Sequence, residues 1–65
     1  MDKKSIGQRL KELRGKKTLK EVASAVGIST SALGMYETGK RIPTDNIKLA
    51  LARYFGTTVE EIFFA

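Results

Sequence analysis

Residues 19–36 read LKEVASAVGISTSALGMY, and the fold turns on how this stretch is organised. Apolar residues at helical spacing flank Gly27-Ile28-Ser29: Val22, Ala23 and Val26 before it, Leu33 and Tyr36 after it. Each flank is one short helix. Thr18 and Glu21 have the capping-box spacing that starts the first, and Ser29 is a favourable N-cap for the second. So short a connection forces the second helix to cross the first steeply. That crossing needs a small residue where the backbones meet, which Ala23 supplies. The turn must begin with a residue that tolerates positive φ, which Gly27 supplies.

The same grammar extends in both directions. Upstream, Ile6, Leu10 and Leu13 mark an amphipathic helix with Ser5 and Gln8 as its capping box and Gly15 as its stop. Downstream, Gly39 ends the third helix, and Pro43 holds Ile42 extended. A fourth helix follows Thr44 with Ile47, Leu51 and Tyr54 on one stripe, and stops at Gly56. Thr58 and Glu61 form a third capping box, opening a fifth helix that presents Val59, Ile62 and Phe63. Phe63 and Phe64 are neighbours and cannot both face inward on one helical stripe, so Phe64 is expected at the surface or in an interface. No stretch alternates as a strand does. The expectation is all-α: a compact five-helix bundle, residues 1–65 forming one domain.

Composition narrows the function. At 65 residues the core buries only about 60% of the unfolded surface. Neither cysteine nor histidine is present, so no disulfide, zinc site or other cofactor is expected. The net charge is +5, and residues 1–20 hold eight basic residues against two acids, leaving the rest near neutral. A concentrated basic end suits a polyanion, although a solvated lysine face accounts for it equally well. No apolar run approaches the roughly 18 residues of a membrane span, and no secretory signal is visible. A cytoplasmic protein without a membrane partner is expected.

Four segments carry a family likeness in their order and spacing: IGQRLKELR (6–14), KEVASAVGIS (20–29), YETGKRIP (36–43) and VEEIFF (59–64). Together they resemble the Cro/phage-repressor type of helix-turn-helix domain, the xenobiotic-response-element family, with its lambda-repressor-like fold. The resemblance implies sequence-specific binding of double-stranded DNA by a transcriptional regulator, a repressor first of all, with the third helix in the major groove. It implies base reading by Thr30, Ser31, Ala32 and Met35, and phosphate contacts from Thr18, Ser29, Thr38, Lys40 and Arg41. It further implies an ion pair between Arg14 and Glu37. Two departures stand out. Leu19 occupies the position where family members commonly carry a phosphate-clamping glutamine, and the link between helices 1 and 2 is shorter than usual. Lys16, Lys17 and Lys20 are the basic residues nearby.

The base readers offer hydroxyls and methyls but no bidentate arginine or glutamine, so direct readout is modest and DNA shape contributes. Gly34, in mid-helix, either admits close approach to the groove or is an ordinary surface position. One reading helix spans few base pairs, so a homodimer on an inverted repeat is expected, with Ile62, Phe63 and Phe64 as contact candidates. An enzyme is not expected: no base, nucleophile or phosphate loop is in evidence, and Glu60 and Glu61 point different ways. The rival from another class is a protein-interaction module, such as an antitoxin or anti-regulator, with DNA binding secondary.

Overall fold

The computed structural model describes residues 2–65, which form α1 (Lys3–Arg14), α2 (Leu19–Val26), α3 (Thr30–Glu37), α4 (Asp45–Phe55) and a π-helical turn (Glu60–Phe64). The described residues contain no strand. All five elements feed one core. Ile6 and Leu10 enter from α1, Val22 and Ala23 from α2, and Leu33 and Tyr36 from α3. Leu51 and Ala52 come from α4, Ile62 and Phe63 from the π-helical turn.

The helix boundaries follow from satisfied end groups. Thr18 accepts the Glu21 amide while the Glu21 carboxylate returns to the Thr18 amide, the reciprocal capping box expected for α2. Ser29 accepts the Ala32 amide at the start of α3. Gly27 closes α2 at φ 88°, and Gly15, Gly39 and Gly56 also adopt positive φ, as the stop positions require.

Three expectations are corrected. The cap of α1 is Asp2 rather than Ser5: its carboxylate accepts the Lys4 amide and the Ser5 hydroxyl, and the helix begins before Ser5. These two bonds hold the Asp2 carboxyl below its ordinary pKa. Leu13 is 40% exposed instead of buried. The face of α1 that meets the body is centred nearer Gly7 and Arg14, turning Leu13 to the edge. The fifth element winds as a π-helix, not an α-helix, although Thr58 caps the Glu61 amide as expected. The wider i→i+5 turn is accompanied by burial of both Ile62 and Phe63, with Phe64 left outside. Arg9 donates to the Ile62 carbonyl at 2.8 Å and the Ala65 carbonyl at 2.7 Å, satisfying acceptors that the turn leaves free.

Gly7 sets the closest helix approach. A methyl group there would overlap the carbonyl oxygen of Glu37 and come within 2.9 Å of that of Tyr36. Gly34, on α3, has open space where its Cβ would stand. The two glycines should therefore respond oppositely to one added carbon. Gly7→Ala is expected to destabilise by about 1–3 kcal/mol through overpacking. Gly34→Ala should stabilise by about 1 kcal/mol through helix propensity. Thermal or urea denaturation of the two variants checks both signs.

Candidate nucleic-acid interface

The α2–turn–α3 unit presents α3 outward along one side. Leu33 and Tyr36 hold it to the core, while Thr30 and Ser31 are exposed and Ala32, Gly34 and Met35 are half-buried. Four of these five residues were expected to read bases; Thr30 and Ser31 stand exposed and Met35 half-buried, whereas Ala32 packs against the core. None of their side chains makes a hydrogen bond to the described residues.

The flanking residues differ in what their hydroxyls are free to do. Ser29 accepts the Ala32 amide and donates to no described residue, so its proton is available to an anion. Thr38 already donates to the Gly34 carbonyl at 2.9 Å. Thr18 is engaged by Glu21 on both sides, and a phosphate placed there would face the Glu21 carboxylate. After α3 the chain doubles back, with the amides of Lys40 and Arg41 both donating to the Met35 carbonyl. This fold-back fixes the backbone of two exposed basic residues beside the outward end of α3.

Two further cations join them. A Cβ on Gly39 would come 3.3 Å from the Lys3 carbonyl oxygen and 3.5 Å from the Lys4 amide. The first turn of α1, with Lys3 and Lys4 exposed, thus lies against the loop that carries Lys40 and Arg41. Local sequence pattern does not reveal this pairing of segments. Only the basic excess of the N-terminal third hints at it. Near α2, Lys17 turns to Tyr54 instead, donating to its hydroxyl at 3.1 Å with the ammonium 5.0 Å from the ring centroid. Lys16 and Lys20 remain exposed.

A family model described as helix-turn-helix matches residues 10–62. The chain belongs to the Cro/phage-repressor type of helix-turn-helix family. Its structure is similar to that of the restriction-modification controller protein C.AhdI from Aeromonas hydrophila: 33% identity, TM-score 0.86, covering 95% of this chain and 97% of that one. The fold is also that of the clp gene regulator ClgR from C. glutamicum, at 23% identity and TM-score 0.80, covering 95% of this chain and 83% of the other. No curated protein sequence matches. The chain is a helix-turn-helix DNA-binding domain similar to controller and regulator proteins.

Within this helix-turn-helix, Arg14 and Glu37 meet as the family likeness implied. The Arg14 Nε donates to Glu37 Oε2 at 2.7 Å and an Nη donates to Oε1 at 3.1 Å, a two-pronged pair. The other Nη donates to the Lys17 carbonyl at 2.8 Å. The Glu37 side chain is only 7% exposed. Hydrogen bonding to Glu37 raises the Arg14 pKa above its ordinary value.

Of the three residues expected at a dimer contact, Ile62 and Phe63 lie in the chain's own core and only Phe64, at 60% exposure, is open to a partner. Among the described residues no acidic cluster suits a metal ion, and no helix is long and apolar enough to cross a membrane.

Removing either partner of the Arg14–Glu37 pair leaves a largely buried polar group unmatched. Arg14→Ala and Glu37→Ala should each lower stability by about 1.5–3 kcal/mol. A double-mutant cycle followed by thermal melting should show coupling above about 0.5 kcal/mol. Strict additivity would reduce the pair to an incidental contact.

Proposed function

We propose that the protein is a sequence-specific regulator that binds double-stranded DNA as a symmetric homodimer, with α3 in the major groove. The observation that carries this reading is the division of labour on α3. Leu33 and Tyr36 do the packing, while Thr30, Ser31 and Met35 are left without structural partners beside an exposed basic loop. Thr30, Ser31, Ala32 and Met35 read bases. Ser29, Lys40 and Arg41 hold phosphates, with Thr18 and Thr38 contributing if their hydroxyls rotate away from present partners. Lys3 and Lys4 extend the phosphate-binding edge.

Two α3 helices on an approximate inverted repeat would sit one DNA turn apart, about 34 Å. Repression is the sign favoured, because occluding a promoter needs only DNA binding, whereas activation needs an additional contact with the transcription machinery. Such a regulator acts in the cytoplasm, where its operator lies. The similarity to a restriction-modification controller supports a regulatory role.

Selection of bound fragments from a random duplex pool should return a two-fold related motif. Affinity for that motif should fall with salt at a log–log slope of about −0.9 per phosphate contacted. Lys40→Ala and Arg41→Ala should each weaken binding to all sequences and reduce the slope by about 1. Thr30→Ala, Ser31→Ala and Met35→Ala should instead change preference among bases, by about 1–3 kcal/mol where a base is read. A flat salt response, or equal affinity for single strands, would overturn the reading.

A further inference from the structure

Away from α3, one charged side chain has no role in the DNA-binding surface. Lys48 on α4 is the only buried charged residue among the described residues, at 8% exposure. Its ammonium lies 5.7 Å from the centre of the Phe63 ring and 5.3 Å from that of Phe64. Asp45, one turn earlier, is its ionic partner at 3.7 Å, too distant for a hydrogen bond. The Asp45 side chain is itself 99% exposed, so water competes for its carboxylate and the pair contributes little. Leu49 follows Asp45 by one turn on the same side of α4 and is among the exposed large apolar residues, as is Phe64. The result is a cation beside two aromatic rings and, one turn away on α4, an anion beside exposed Leu49, the mutual contact of the two charges being incomplete.

We propose that Asp45, Lys48, Leu49 and Phe64 form the face on which two copies of the chain meet, each Lys48 ammonium being completed by Asp45 of the opposite copy. The inference rests on the homodimer proposed above and names the contacts that make it selective for self. A two-fold interface must be complementary to itself. A face of one charge sign would repel its own copy. This face carries one charge of each sign side by side, so a two-fold rotation sets cation against anion twice. Phe64 and Leu49 supply apolar surface to be covered, and the Phe63 and Phe64 rings shield the ammonium from water, strengthening its attraction to a carboxylate. Nucleic acid is disfavoured as occupant, because Asp45 projects into any approaching phosphate. An acidic peptide would satisfy Lys48 but would be repelled by Asp45. A second copy satisfies both.

Sedimentation equilibrium of the intact protein tests the pairing, using Asp45→Lys, Lys48→Glu and their equimolar mixture. The wild type should self-associate more weakly as salt rises. Each charge reversal alone should weaken association at least tenfold. Mixing the two should restore it, because one copy then offers two cations and the other two anions. If the wild type dimerises and neither reversal matters, the ion-pair inference is overturned while the dimer stands. If the wild type stays monomeric even on an inverted repeat, the dimer and the inference fall together. Circular dichroism establishes that each variant is folded. Should Lys48→Glu not fold, Asp45→Lys decides alone, since it alters a fully exposed side chain, and unchanged association then overturns the inference.

Discussion

The close approach of α1 to the C-terminal end of α3 is the constraint on which the remainder rests. Gly7 lets the α1 backbone sit against the Tyr36 and Glu37 carbonyls, and two turns later Arg14 reaches the Glu37 carboxylate. One guanidinium joins the end of α1, the loop at Lys17 and the end of α3. This matters because α3 has eight residues, and so short a helix is marginal in water by itself. Leu33 and Tyr36 attach its inner face, but its far end is positioned by α1. The basic loop that follows is anchored to Met35 and abuts Lys3, so its placement depends on the same contact.

A domain this small has little apolar surface to spare, and its polar groups share the work of holding it together. Asp2, Thr18, Ser29 and Thr58 satisfy helix starts, and Arg9 satisfies carbonyls at the C-terminal turn. On the proposed function this places structure and recognition in competition at individual hydroxyls. Thr18 and Thr38 lean towards structure, with protons directed at Glu21 and Gly34. Ser29 is free to serve both, because capping uses only its lone pair.

What was legible in the sequence was what adjacent residues decide. The element order, the capping box at Thr18–Glu21, the Thr58 hydroxyl on the Glu61 amide, the Ser29 cap and the four positive-φ glycines all depend on neighbours a few positions apart. So does the outward placement of Thr30 and Ser31, because two apolar anchors at helical spacing fix which face turns away. What escaped depends on segments meeting across the fold. Asp2 outcompetes Ser5 as a cap because it offers a carboxylate to both the Lys4 amide and the Ser5 hydroxyl. Gly7 looks like a blemish in a helix until α3 is laid against it. Leu13 fits the apolar stripe but lies off the centre of the face that is actually buried. Ile62 and Phe63 have the chemistry of an interface, and nothing local distinguishes the chain's own core from a partner's. The adjacency of Lys3 to Gly39, and the Phe63 and Phe64 rings around Lys48, are likewise products of tertiary packing.

The open space over Gly34 and the unbonded side chains around it bear on how such a protein changes over generations. Thr30, Ser31, Gly34 and Met35 carry almost none of the packing, so replacements among them escape the stability threshold that removes most mutations. If these residues read bases as proposed, operator preference is nearly decoupled from foldability. On that proposal a lineage can drift to a new DNA target through steps that each leave a folded protein, provided Gly7, Arg14 and Glu37 stay in place.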